Sequence, residues 1–344
     1  MPKVFQRIRE RLLRRNRFTS YLLYALGEII LVVAGILIAL WINDWNEQRK
    51  ADQAVRQALR QVRVDLRDDI KEADELFAFF LGKDSLMSLI LEGKLTEADY
   101  RSDQGLYYPT ATTSLELFYP ETEGFQQLQS VGGDKSAPYD SLFQQLKSLY
   151  GEKQEDLNET NELILNTLRQ NLEYMKRHAT WLADLYRSPA KLSDASIDFF
   201  LNDPYYQNSV AEHFAMVMGN QYVGVLNYRN RAVKLYERVS EFLNIESLPL
   251  YPVNAVPDYT GTYYDAEDTL DVLVQNGAYR LRYREDTTES QTLIPFSAEH
   301  FTTNEGGFYY VERDTAEVIT GFTIRYGDQR YPMERLPKEP PPND

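Results

Sequence analysis

Cysteine is absent from the 344 residues, and histidine occurs only three times. Without cysteine there are no disulfides, no thiolate metal sites and no cysteine nucleophile. His178, His213 and His300 stand far apart, with no partner at the spacing of an H-E-x-x-H helix. They read as single histidines each making one hydrogen bond, not as metal ligands. A glycine-rich phosphate loop is also missing. So is any overall basic surplus: the net charge is −15. Phosphate backbones demand Lys and Arg, so this acidic balance excludes a nucleic-acid partner and argues against lying flat on anionic lipid. It suits a soluble, self-repelling surface. No cofactor is implied.

Catalytic signatures are no better represented. Ser188-Pro189-Ala190-Lys191 fits S-x-x-K and Tyr206-Gln207-Asn208 fits Y-x-N, yet a serine acyl-enzyme also needs a K-T-G-like strand, which is lacking. Asp265, Asp268 and Asp271 have the wrong spacing for a calcium loop, with neither its glycine nor its closing glutamate. They read as a solvated strand edge. An enzyme is therefore only a distant third reading, with no catalytic constellation to carry it.

What is present is one long apolar run. Tyr21 to Ile42 contains 22 residues, thirteen of them Leu, Ile or Val. A helix of that length measures about 33 Å, enough to cross a hydrocarbon core of about 30 Å. The aliphatic residues favour insertion by roughly 4–8 kcal/mol, against about 2–3 kcal/mol for burying Glu28. Tyr21 and Tyr24 at one end and Trp41 and Trp45 at the other suit the two interfaces. Residues 1–20 hold seven Lys or Arg against Glu10 alone, so this tail is +6 and the remainder −21. The positive-inside rule places the tail in the cytoplasm. The run is too long for a cleaved signal peptide and ends in bulky Leu40-Trp41-Ile42, so an uncleaved signal anchor is expected. A tail of about 20 residues is too short for a kinase or a DNA-binding domain, and a signal would have to pass to a partner helix.

Glu28, Leu31, Gly35 and Ala39 fall on one side of that helix, and Gly35-x-x-x-Ala39 is a small-xxx-small pattern. This is a candidate contact face for a membrane-protein partner or a second copy of the chain, with the Glu28 carboxyl hydrogen-bonded across it. The competing reading has Glu28 snorkelling to the inner headgroups.

Gly27-Glu28-Ile29, Leu31-Val32-Val33, Gly35 to Leu40, Ile42-Asn43 and Trp45-Asn46-Glu47 resemble the N-terminal anchor of an uncharacterised family of bacterial single-pass membrane proteins carrying a domain of unknown function. The match is close over residues 18–50 and loose over the helical region; Trp41 and Asp44 depart from polar amides commoner in the family. The resemblance implies a Gram-negative cytoplasmic (inner) membrane with the body in the periplasm, and it implies no activity.

Beyond the span, Val55, Leu59, Val62, Leu66, Ile70, Ala73, Phe77 and Phe80 step by three and four, close to a coiled-coil seam. Arg60, Arg63, Asp65, Arg67 and Asp68 are expected to face away, and Gly82 to stop the helix. Asp84 or Ser85 would cap a short helix ending before Gly93, and Thr96 with Asp99 suggests a capping box for another. A long loop over 105–120 carries Tyr107, Tyr108, Phe118 and Tyr119. It is a candidate ligand or partner loop if the rings form a stacking platform, and a set of packing anchors if they do not. A short helix from Gly124-Phe125 to Gly132-Gly133 and long helices over 138–186, bent at Gly151, and 204–243 complete an antiparallel helical bundle.

The period then changes. Alternation in Tyr259–Tyr264, Leu270–Val274 and Tyr279–Tyr283, with Asn276-Gly277 as a tight turn, predicts strands, and others follow near 291–296, 307–313, 317–326 and 330–336. The expected fold is thus a transmembrane helix, a helical bundle and an antiparallel β meander, either a small barrel or a curled sheet. Its divisions are a basic tail 1–20, a span 21–42, a bundle 43–250, a linker 251–257, a β domain 258–336 and a disordered tail 337–344. Tyr259-x-Gly261-x-Tyr263, Asn276-Gly277, Leu293-x-Pro295 and Val318-x-x-Gly321-Phe322 are similar to the small β module that follows some β-lactamase-type serine hydrolases.

Two functions follow as expectations. One is a membrane-anchored interaction or scaffold protein, its bundle holding the β domain away from the bilayer. The other is a periplasmic, sensor-like ligand-binding module.

Overall fold

A computed structural model describes residues 17–131, 139–187, 191–246, 257–275, 277–284, 290–326 and 329–337. The basic tail up to residue 16, Gly132-Gly133, the Ser188-Pro189-Ala190 triplet, most of the linker, Asn276 and the last seven residues lie outside them. The chain divides into two compact units: Met1–Ala58 with Gln127–Lys135, and Leu59–Gln126 with Ser136–Asp344.

In the first unit the main element is the beginning of helix α1 (Arg17–Leu91). This part is long and apolar enough to cross a membrane, and its side chains from Leu26 to Lys50 are exposed.

The second unit begins inside α1. Leu59, Val62, Leu66, Ile70, Ala73, Phe77 and Phe80 are all buried, so the three-four spacing marks a true packing stripe. The helix does not stop at Gly82. The stripe continues through Leu86, Met87 and Ile90, and burying them outweighs the modest helix cost of one glycine, about 1 kcal/mol. Asp84 and Ser85 are therefore mid-helix residues and not caps. The stop is Gly93, in the left-handed region at φ +63°. There Lys94 donates its N–H back to the Leu89 carbonyl at 3.0 Å, the bond that closes a Schellman turn.

The capping box forms. Asp99 accepts both the N–H and the hydroxyl of Thr96, at 2.7 and 2.6 Å, and opens α2 (Glu97–Arg101). The loop that follows contains a 3-10 turn at Tyr108–Thr112 and leads to α3 (Glu123–Val131). Asp65 is a correction to the expected outward face. It is buried because this loop closes over it: its carboxylate accepts the Gly124 N–H at 2.7 Å and the Gln61 amide at 2.8 Å. Arg63 is also turned inward, donating to Ser240 and Tyr236 at 2.7 and 2.8 Å, whereas Arg60, Arg67 and Asp68 are exposed. A Cβ at Gly124 would lie 2.4 Å from the Val62 nitrogen, which is backbone and cannot rotate away. Gly124→Ala is accordingly expected to cost about 2 kcal/mol or more, read as a lower urea midpoint; an unchanged midpoint would remove this account of the loop.

The two long predicted helices are interrupted. The first is α4 (Asp140–Ser148), a π-helical segment at Leu149–Lys153 containing Gly151, α5 (Gln154–His178) and α6 (Leu182–Arg187). After α7 (Asp194–Asn202), which the periodicity does not announce, the second is α8 (Pro204–Phe214), a π-helical Ala215–Gln221 and α9 (Tyr222–Leu243).

The β part is a closed eight-stranded meander, β1 to β8 in sequence order, with β1 pairing β8. The strands are β1 (Gly261–Tyr264), β2 (Thr269–Gln275), β3 (Ala278–Tyr283), β4 (Gln291–Pro295), β5 (His300–Thr303), β6 (Phe308–Arg313), β7 (Ile319–Tyr326) and β8 (Gln329–Arg335). Alternation sends Tyr263, Leu270, Leu281, Phe301, Tyr309 and Phe322 into the barrel, which these and their neighbours fill. Strand β5 went unrecognised because Thr302 and Thr303, though polar, are fully buried.

Helices and barrel join inside this unit through Tyr222. Its ring packs on Phe77, Phe80 and Phe308 with centroids 6.0, 5.6 and 5.0 Å away, and its hydroxyl hydrogen-bonds the Thr302 hydroxyl at 2.9 Å. Asn230 donates to the Asn304 carbonyl nearby, at 3.0 Å.

Candidate functional site

Glu28, Leu31, Gly35 and Ala39 are all exposed on α1, and a Cβ at Gly35 would meet nothing within 4 Å. The face is open to whatever surrounds it.

Farther along α1 stands a series of buried charges. Asp69 accepts the Tyr228 hydroxyl at 2.6 Å and the Glu121 N–H at 2.9 Å. Burial nevertheless lifts its pKa to about 7, since these two bonds only partly offset the lost hydration. Asp74 pairs with Arg229 at 3.0 Å and is raised to about 6, again by burial. Lys83 donates to the carbonyls of Thr110 and Ala111 at 2.7 and 3.1 Å, and burial lowers it to about 8. His213 is fully buried with neither ring nitrogen bonded; burial first, and the Lys83 charge second, push it down to about 4. The expected single hydrogen bond is made by His178, to the Tyr174 carbonyl, and by His300, to Ser297, but not by His213. Asp69, Asp74 and Lys83 hold loops and a neighbouring helix onto α1; none of these groups lines the cleft described next.

The last turns of α1 do. Ser85, Ser88 and Leu89 fall at i, i+3 and i+4 on one helix face and, with Glu92 in the turn just after the helix, form one wall of a cleft of about 390 Å³. The opposite wall is the outer face of β6, β7 and β8, contributing Tyr310, Glu312, Thr323, Arg325 and Arg330. Strand register orders these into rows: Phe308, Arg325 and Arg330 in one, Tyr310, Thr323 and Pro332 in the next, Glu312, Gly321 and Glu334 in the third. Arg325 and Arg330 are thus direct cross-strand neighbours, a like-charge pairing that is unfavourable by itself. Asp84 relieves it from below. Its carboxylate lies 3.0 Å from Arg325, with side-chain exposures of only 3% and 6%, and Arg325 also donates to Ser88 at 2.7 Å. Burial raises Asp84 to about 6, opposed by Arg325 and Arg330.

The loop aromatics do not share one surface. Phe118 is fully buried against Tyr228 at 5.3 Å, and Tyr108 packs half-buried on Tyr100 at 5.3 Å. Tyr107 and Tyr119 are about half exposed, at 49% and 52%. A stack that sequence reading missed lies elsewhere: Tyr174 between Tyr205 and His178, with centroids 3.6 and 4.2 Å away. Only the i, i+4 spacing of Tyr174 and His178 on α5 could have hinted at it. Tyr206 of the Y-x-N match is buried within α8, and Ser188 of the S-x-x-K match lies outside the described residues. Asp265 accepts the N–H groups of Glu267 and Asp268 in a turn, and Asp271 pairs with Arg284 at 3.1 Å. Among the described residues no group of three or more His, Asp or Glu could hold a metal ion.

A one-helix candidate span, a helical part and a closed β barrel define the class of protein. Residues 28–172 match a family of unknown function, DUF6090, a stretch that opens at Glu28 and ends inside α5, short of the barrel. No curated protein and no solved structure matches the chain.

Proposed function

We propose that this is a single-pass protein of a Gram-negative cytoplasmic membrane, its N-terminus in the cytoplasm and its helical bundle and barrel in the periplasm. It works as an interaction or scaffold protein. Its partner, another membrane protein or a second copy, meets the face formed by Glu28, Leu31, Gly35 and Ala39. The observation that carries this reading is the bare apolar surface of α1. Ile29, Ile30, Leu31, Ile36, Leu37 and Ile38 are each more than half exposed, left uncovered by the described residues. Water does not tolerate a continuous patch of this kind, whereas a bilayer does. A carboxyl at Glu28, beside small residues, favours a helix contact in which the acid finds a hydrogen-bond partner.

Crosslinking in native membranes followed by gentle detergent purification tests it. Glu28→Leu is expected to lose at least one specifically crosslinked partner that wild type retains, with equal yield of the protein itself. Identical partner sets in the two forms would sink the contact face.

A second reading, a ligand-binding module, draws on the cleft between α1 and β6–β8. A volume of about 390 Å³ is within the range of small-molecule sites. The barrel interior is filled by its own side chains, so a ligand would sit outside it.

A further inference from the structure

Two charged side chains of the cleft make no close ion pair. Arg325 is paired with Asp84, and Glu92 with Lys94. Arg330 has no ion pair among the described residues, although its charge acts on Asp84 and Glu92; Glu312 has none either and accepts only the Thr323 hydroxyl, at 2.5 Å. The two stand at opposite ends of the same groove. From the register they are four residues apart along the strands and two strands apart across them. At about 3.3 Å per residue and about 4.8 Å per strand, their Cα atoms are about 16 Å apart. An arginine and a glutamate reaching inward leave a gap of several ångströms between their charged ends. Between them lies the Tyr310 hydroxyl, buried and without a hydrogen-bond partner, together with the Ser85 and Ser88 side chains on the helix wall.

We propose that this groove binds a small peptide-like zwitterion, its carboxylate on Arg330 and its ammonium on Glu312. A lone anion would complete Arg330 but leave Glu312 unmatched, and Glu92 and Glu312 at the rim repel a multiply charged one. A zwitterion with charges several ångströms apart satisfies both ends, as a dipeptide does. Its carboxylate also relieves the Arg325–Arg330 juxtaposition. The assignment rests on the ligand-binding reading and specifies its ligand class.

Calorimetric titration of the full chain in detergent would use three probes: L-alanyl-L-alanine, its N-acetyl derivative, which lacks the ammonium, and its amide, which lacks the carboxylate. The dipeptide is expected to bind at least ten-fold more tightly than either derivative. Arg330→Gln and Glu312→Gln should each weaken it at least ten-fold. Both residues are exposed, so unfolding midpoints of the unliganded variants should match wild type. Equal binding of the N-acetyl derivative, or indifference to Glu312→Gln, overturns the zwitterion while leaving a ligand site in place. Failure of all three probes up to millimolar concentration overturns both the zwitterion and the ligand-binding reading. Neither outcome depends on Glu28.

Discussion

Asp84→Leu should lower the unfolding free energy of the unit that holds the helices and the barrel by about 3–5 kcal/mol, the range found when one member of a buried ion pair is removed. Arg325 would be left nearly inaccessible, its guanidinium opposite Arg330 and no longer paired with Asp84. Arg325→Met should cost a similar amount, since Asp84 would then be buried without its partner. The double variant Asp84→Leu, Arg325→Met should recover most of the loss, because two apolar side chains of comparable volume need no hydration. Urea unfolding of the four proteins, followed by far-ultraviolet circular dichroism, gives the coupling energy directly. Single substitutions within about 0.5 kcal/mol of wild type would mean that the pair is open to solvent, and the barrel wall would then need another account of its attachment to α1.

The second large effect is on pH. An ordinary aspartate loses its proton near 3.8, whereas burial holds Asp69 to about 7 and Asp74 and Asp84 to about 6. Between about pH 4 and 7 the folded chain therefore binds protons that the unfolded chain has released. Stability is greatest at the acid end of that window and falls as pH rises through it. Asp69 alone corresponds to about 4 kcal/mol, at 1.36 kcal/mol per unit. His213 acts in the opposite sense. Held down at about 4, it stays neutral when folded while the unfolded imidazole protonates below about 6.5, so it favours folding as pH rises. Three carboxyls outweigh it. The urea midpoint is expected to be higher at pH 5 than at pH 7.5, and Asp69→Asn should flatten that difference by the largest single share. An asparagine can still accept the Glu121 N–H and bond the Tyr228 hydroxyl, so the variant tests the charge and not the contacts. A midpoint that climbs from pH 5 to 7.5 in wild type would show that these aspartates are ionised throughout.

The apolar stripe from Leu59 to Phe80 could be read in advance because helical periodicity belongs to neighbouring residues. So could the capping box at Thr96 and seven of the eight strands, which are equally local signals. Asp65, Asp69 and Asp84 look in sequence like any solvated aspartate on a helix. Their burial depends on the loop at 121–124 and on the barrel wall, more than 50 and 230 residues away along the chain. The cleft was invisible for the same reason. Ser85, Ser88 and Glu92 suggest a helix face, but Arg330 and Glu312 come to lie opposite it only once β6, β7 and β8 have paired. Gly82 shows a local signal overruled: a glycine read as a stop is carried through because Leu86, Met87 and Ile90 have a core to enter.

Closure of the β part limits how a partner can approach it. Every strand from β1 to β8 already has two neighbours, including the pairing of Tyr263 with Arg335 that joins first to last. A peptide that binds by lengthening a sheet needs a strand with free backbone donors and acceptors along one side. Among the described strands the part of β8 before Glu334, which runs past the end of β1, keeps such a side. Where both sides are paired, recognition must run through side chains and turns. Confining the open template to short stretches of this kind also limits the usual starting point for sheet-to-sheet aggregation when many copies are crowded together.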